Sequence, residues 1–319
     1  MSTESITFGP VPSRRLGRSL GVNNIPAKTC SYGCVYCQVG RTTCMEIQPQ
    51  AFYASEFILK DIGAKLAKIR SAGAGVDYVT FVSDGEPTLD IHLKTEIQGV
   101  KALGLKTAVI SNASLIWRQD VRESLAEADW VSLKMDAADK KVWRRINRPH
   151  GSLRLQRILE GAQLFSKSYA GKLVTETMLV RGLNDAPDQL SSLSLCLQQL
   201  NPAVAYLSVP TRPPAEPRVR PPREIQIHRA YEIMCTMLPN VALNISYEGD
   251  DFQPTGEAAL DLLNITAVHP MREAAVLKFL KQAGAGKELL TRLVSQNRLS
   301  RIEYDGNVYY LRPLPNSLL

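Results

Sequence analysis

The stretch Cys30-Ser31-Tyr32-Gly33-Cys34-Val35-Tyr36-Cys37 places three cysteines at spacings of four and three positions inside one short loop. Such spacing lets three thiolates converge on a single metal centre. Iron–sulfur clusters are held by cysteine thiolates, and a cubane cluster takes four of them. Three leave one iron without a protein ligand and open to a small molecule, the distinction that also separates catalytic from structural zinc sites. A structural zinc site is the plainer alternative and needs a fourth ligand, for which Cys44 or His150 is available.

The CxxxCxxC run, with the aromatic Tyr36 just ahead of its last cysteine, resembles the radical S-adenosylmethionine (SAM) superfamily. The resemblance implies that Cys30, Cys34 and Cys37 hold a [4Fe–4S] cluster whose open iron chelates the amino and carboxylate groups of SAM. Tyr36 is then expected beside the adenine. One electron from the cluster cleaves the sulfonium and releases a 5′-deoxyadenosyl radical, which takes hydrogen from a substrate. The electron is expected from a reductant such as flavodoxin or ferredoxin.

Working outward from the cysteines, short β-branched apolar runs at 77–82, 106–111, 129–134, 174–180 and 204–209 read as buried parallel strands. Amphipathic stretches at 55–70, 117–128, 152–168 and 187–200 read as the helices between them. Repeated βα units imply an α/β fold with a parallel sheet, either doubly wound or a barrel. The family resemblance selects a partial (β/α)6 TIM-like barrel, its cysteine loop following a first strand around 20–25. A run at 241–247 reads as a closing strand. Chemistry in such barrels sits at the C-terminal strand ends.

The next motif falls at such an end. Ser83-Asp84-Gly85-Glu86-Pro87-Thr88 resembles the superfamily's glycine-glycine-glutamate element, with Asp84 in place of the first glycine. Gly85 would let the backbone approach the ligand closely, and Glu86 could accept a charge-assisted hydrogen bond from the SAM ammonium. Ser111, Asn112, Ser132, Lys134 and Asp136 end the following strands and suit contacts to ribose and methionyl carboxylate. Helix N-capping is the alternative for Asn112 and Asp136. Arg181, Gly182 and Asn184, after the fifth of these runs, are expected on the adenine side by the same resemblance.

The domain reading is a barrel at 1–250, a linker at 251–265 and a small module at 266–319. Two helical stretches, at 271–283 and 286–295, precede two strand-like runs joined by Asp305-Gly306, a hairpin turn signal. Helices followed by a two-stranded wing resemble a winged-helix module. Its eight basic against four acidic residues exceed its share of the chain's net charge of +7. The segment 211–223, with Arg212, Arg218, Arg220 and Arg223 among five prolines, reads as an extended loop at the barrel mouth.

The N-terminal run from Phe8 to Asn23, with Leu133-Lys134-Met135-Asp136 and Asn147-Arg148-Pro149, narrows the likeness to a bacterial and archaeal group. That group is related to the wyosine-base synthases, which remodel a guanine in tRNA. Arg14, Arg15, Arg18, Trp143, Arg144, Arg145 and Arg148 are then candidates for binding an anionic substrate, tRNA among them. No cysteine precedes Cys30, so the second cluster of true wyosine synthases is not expected. Peptide or protein modification, and a non-catalytic iron–sulfur RNA-binding protein, are the alternative readings. The N-terminus lacks the charged and apolar regions of a signal peptide, and no apolar run approaches the roughly 18–20 residues that span a bilayer. Clustered cysteines without a disulfide framework fit a reducing cytoplasm.

Overall fold

The computed structural model describes residues 6–246 and 249–313. The chain opens with β1 (Thr7–Ser13) and β2 (Gly17–Val22), an antiparallel pair. The cysteine loop follows, clasped by two short parallel strands, β3 (Thr29–Cys30) and β4 (Cys44–Met45). Then come α1 (Ser55–Ser71), β5 (Tyr78–Phe81), α2 (Leu93–Ala102), β6 (Thr107–Ser111), α3 (Gln119–Ala126) and β7 (Trp130–Lys134). The barrel ends with α4 (Lys140–Ile146), α5 (Leu155–Ser168), β8 (Lys172–Met178), α6 (Pro187–Leu200), β9 (Val204–Ser208), α7 (Glu224–Cys235) and β10 (Val241–Asn244).

The main sheet has eight strands in the order β1-β2-β5-β6-β7-β8-β9-β10, parallel from β2 onward. Its two edge strands are not neighbours, so the wall stays open, as a partial barrel requires. Each crossover packs a helix outside, and the largest core joins outward-facing strand residues such as Val79, Val109 and Val131 to helix faces such as Ile58, Ile62 and Ile97. Two features differ from the sequence reading. β1 was read only as part of a motif run; Pro10 and Pro12 remove ladder donors, which an edge strand tolerates. The expected strand at 241–247 is shorter, and Tyr247 lies outside the described residues.

Residues 251–265 do not form a simple linker. Phe252 is fully buried, and α8 (Ala258–Val268) begins within the segment. After it come β11 (Met271–Arg272), α9 (Glu273–Gln282), α10 (Lys287–Ser295), β12 (Ser300–Tyr304) and β13 (Asn307–Leu311). The hairpin forms as expected, with left-handed Asp305 and Gly306 at φ 49° and 69° making its turn. β13 lies between β12 and β11, giving a small three-stranded sheet. A second core of Phe252, Leu262, Ile265, Met271, Phe279 and Leu293 holds these elements together. Residues 314–319 lie outside the description.

Candidate functional site

At the C-terminal ends of the barrel strands lies a cavity of about 300 Å³. Cys30, Cys34 and Cys37 all line it, together with Tyr36, Gly85, Glu86, Ser111, Asn112 and Lys134. Residues forty to a hundred positions apart are therefore brought to one wall by the parallel strand order.

The cysteine loop is fixed from both sides. Gly33 and Val35 donate their backbone N–H groups to carbonyls at the end of α4, those of Asn147, Arg148 and Ile146. On the other side the Glu86 N–H donates to the Thr29 carbonyl at 3.2 Å. Gly85 is needed there: a Cβ would lie 1.9 Å from the Thr29 carbonyl oxygen. What approaches Gly85 closely is thus the cysteine loop's own backbone. Asp84, where the family element has a glycine, turns away from the cavity and pairs with buried Lys28 at 2.7 Å.

Two side-chain amides reach the cysteine sulfurs. Asn112 Nδ2 donates to Cys30 Sγ at 3.5 Å, and Asn147 Nδ2 to Cys34 Sγ at 3.4 Å. Burial pushes all three thiols up, Cys34 to about 12 with help from the Asp136 charge. A ligand that displaces the protons must therefore stabilise the thiolates. Three sulfurs on one cavity wall, with amide donors aimed at two of them, fit a cluster bound by three thiolates. Cys44 is exposed on β4 and His150 is tied through its backbone to Ser31, and among the described residues no three such side chains close on a single ion.

Glu86 is fully buried. Its Oε1 accepts from the Thr88 N–H at 3.1 Å, the Thr88 hydroxyl at 2.6 Å and the Ser111 hydroxyl at 2.8 Å, and its Oε2 accepts from the Asn112 N–H at 2.7 Å. Burial raises its pKa against these donors, so the carboxylate favours any further positive partner the cavity admits. Lys134 sits 5.1 Å over the Tyr36 ring and 3.8 Å from Glu176. Burial works against its charge, but Glu176 and Asp136 raise its pKa overall.

Two expected contact residues stand elsewhere. Ser132 shares the inward face of β7 with Lys134 but lies one pleat deeper, buried beneath the cavity rather than on its wall. Asp136 stands behind Tyr36, accepting hydrogen bonds from its hydroxyl and from Asn147 Nδ2 (2.6 Å) and the Met178 N–H (2.8 Å). Neither Asp136 nor Asn112 caps a helix; the α4 cap is Asp139. Arg181, Gly182 and Asn184 do not line the cavity, and Asn184 spends its amide on the carbonyls of Asp136 and Met178.

Of the arginines proposed for an anionic substrate, Arg15 alone lines the cavity. It lies between the rings of Trp130 and Tyr206 and pairs with Glu176 at 2.8 Å. Burial would raise the Glu176 pKa, but Lys134 and Arg15 overcome it and bring it to about 2. The sequence reading missed Glu176, because a lone glutamate within a β-strand gives no signal until its partners are known. It also missed His269, which with Val268 and Arg212 forms another part of the wall. Arg212 Nη2 and His269 Nε2 are 2.6 Å apart.

Known proteins resemble this chain in sequence and in fold. Residues 24–191 match the model of the radical SAM superfamily. The chain is 41% identical over 310 residues to a UPF0026 protein of Methanocaldococcus jannaschii, covering 97% of this chain and 96% of that one. The crystal structure of Streptococcus suis SuiB bound to S-adenosylmethionine is similar in fold, with TM-score 0.52 and 16% identity over 70% of this chain and 49% of that one. TYW1 with a lysine-pyruvate adduct gives TM-score 0.49 and 17% identity over 93% of this chain and 80% of that one. The superfamily consists of enzymes that use SAM and an iron–sulfur cluster. No helix among the described residues is long and apolar enough to cross a membrane. With three cysteines on the wall of a barrel-mouth cavity, and with more than half of its length matching the superfamily's model, the chain belongs to the radical SAM superfamily.

Proposed function

We propose that the chain binds a [4Fe–4S] cluster through Cys30, Cys34 and Cys37 and cleaves SAM reductively to modify an anionic substrate, a tRNA base being the first candidate. The observation that carries this reading is the single cavity shared by the three cysteines, Gly85, Glu86, Ser111 and Asn112. When bound, the cluster supplies the electron that converts SAM to methionine and a 5′-deoxyadenosyl radical. Glu86, held by four protein hydrogen bonds, is positioned to accept from the SAM ammonium. Asn112 and Asn147 support the thiolates of Cys30 and Cys34. Tyr36, locked by Asp136, offers a ring at the cavity wall for the adenine. Enclosure by the N-terminal hairpin residues Phe8 and Val11 and by Val268 keeps water and stray hydrogen donors from the reacting atoms.

Arg15, Lys134 and Arg212 on the same wall support an anionic substrate. The basic C-terminal module, read as winged-helix-like, supports RNA as its source. Operation in a reducing cytoplasm follows from the cluster's need for free thiols. The test is anaerobic reconstitution with iron and sulfide, then dithionite and SAM, with 5′-deoxyadenosine as the readout. Product that is lost in Cys34→Ala is expected. An intact cluster that yields none, with RNA present or absent, would replace this reading with a binding role.

A further inference from the structure

The C-terminal module meets the barrel mouth beyond two strand ends. After β9, the Tyr304 hydroxyl donates to the Pro210 carbonyl at 3.3 Å and the Tyr309 hydroxyl to that of Thr211 at 2.7 Å. After β5, the contact is ionic: Nη1 of Arg312, the residue that follows β13, lies 3.6 Å from Asp84 Oδ2. The two partners differ in surroundings, since the Asp84 side chain is 1% exposed and that of Arg312 41%. Asp84 Oδ2 is buried and accepts no hydrogen bond from the described residues. Val268 and His269 of the same module wall the cavity.

The other oxygen of Asp84 serves the cysteine loop. Oδ1 accepts from Lys28 Nζ at 2.7 Å, and the Asp84 carbonyl accepts from the Lys28 N–H at 2.6 Å. The Lys28 carbonyl accepts in turn from the N–H groups of Thr43 and Cys44, both at 3.1 Å, where the loop returns after its three cysteines. Lys28 has φ 63°, a left-handed conformation that residues with a side chain disfavour and that persists where the surroundings hold it. Asp84 holds it through backbone and side chain together. A glycine, which the family element has at this position, would keep the backbone bond and lose both carboxylate contacts.

We propose that Asp84 is a positioning residue that couples seating of the C-terminal module on the mouth to the shape of the cysteine loop. Its consequence for SAM rests on the proposed cluster at Cys30, Cys34 and Cys37. Asp84 directly precedes Gly85, which abuts the Thr29 carbonyl, and Glu86, on the cavity wall. A carboxylate held by Arg312 on one oxygen and by Lys28 on the other therefore fixes the loop and the Gly85-Glu86 element at once. Without Arg312, Oδ2 is left buried with no cation, and the carboxylate loses its reason to stay where Lys28 needs it. The coupling is reciprocal: whatever tightens the loop also seats the module more firmly.

Amide hydrogen exchange of the cluster-free full chain tests the coupling without any cluster chemistry. Arg312→Gln is expected to speed exchange at Thr43 and Cys44 by about fivefold or more, with the β6 amides and the denaturant midpoint unchanged. Arg312→Lys, which keeps the charge, should restore the parent rates. In reconstituted chains, SAM affinity is read from the EPR signal of the reduced cluster. It should fall by a similar factor in Arg312→Gln, and the double variant with Asp84→Asn should lose no more than Asp84→Asn alone. SAM should also slow exchange across β13 in the native chain but not in Arg312→Gln. Unchanged loop exchange and affinity in Arg312→Gln would overturn the proposal, as would faster exchange throughout the barrel or fully additive losses in the double variant. Faster loop exchange in a chain that takes up no cluster would overturn the proposed function and leave the coupling standing.

Discussion

Glu86 shows how one carboxylate serves structure and chemistry together. Its buried oxygens already collect four protein donors, so removing the side chain would strand Thr88, Ser111 and Asn112 as well as any ligand. Glu86→Gln is the milder variant, since it keeps the Oε1 acceptor for Thr88 and Ser111 and removes the charge, although its NH2 faces the Asn112 N–H in place of Oε2. SAM affinity is expected to fall by about 1.5–3 kcal/mol, the worth of a charge-assisted hydrogen bond, with iron content retained. Equilibrium SAM binding to the reconstituted variant checks this, and unaltered affinity would remove Glu86 from the ligand's contacts. At Gly85 the constraint is steric. Gly85→Ala drives a Cβ into the Thr29 carbonyl, so a loss of about 3 kcal/mol in stability is expected, read from the denaturant midpoint together with a lower iron yield. A variant as stable as the parent would mean that the β3 segment yields easily.

At the scale of elements, the strands and helices with strong apolar periodicity were legible in the chain, and α6 (Pro187–Leu200) starts and ends where the pattern does. Elements whose signal is mixed were not. α2 carries Gly99 and buries Glu96 on its inner face, both of which blur an amphipathic stripe. α8 is nearly all apolar with little sidedness, and it escapes a reading that expects a polar face. At the site, the spacing of the cysteines and the family resemblance of the Gly85-Glu86 element singled out residues that the fold brings to one cavity wall. Asn147 and Glu176 act through residues far away in sequence, and only the folded chain reveals that. The buried Glu96 has a testable consequence. Burial, then the neighbouring Asp90, raises its pKa from 4.5 to about 9. The folded state prefers the protonated acid, so this group's contribution is greatest below about pH 4.5 and is lost as pH rises toward 9. The slope can reach about 1.4 kcal/mol per pH unit. Glu96→Gln removes the titration, and the variant should gain stability relative to the parent between pH 5 and pH 8. Urea midpoints at both values decide it; parallel pH profiles would mean that Glu96 is charged and compensated in the fold.

Across the whole molecule, two cores must be held together for one cavity to exist, because Val268 and His269 wall a site whose cysteines belong to the barrel. The joint is polar. Lys65 of α1 reaches Asp261 of α8 at 2.7 Å and the Thr255 hydroxyl at 2.7 Å, and the Asp261 carboxylate also accepts from the Thr255 N–H at 2.6 Å. Both charged groups are more than nine-tenths buried, at 8% and 5% side-chain exposure. Their attraction therefore has to offset a large desolvation cost, and the pair gives specificity of docking more than net stability. Asp261→Ala leaves the Lys65 ammonium buried without its carboxylate and should cost about 3–5 kcal/mol. Lys65→Met/Asp261→Leu removes both charges and should cost much less than the single change. Denaturant midpoints of the parent, both single variants and the double variant give the coupling directly. If the joint also sets the cavity wall, SAM affinity should fall in the single variants and recover in the double one. A loss below about 1 kcal/mol for Asp261→Ala would match an exposed pair instead, and would mean that the apolar packing of Val11 against the second core, rather than this bridge, holds the two halves in register.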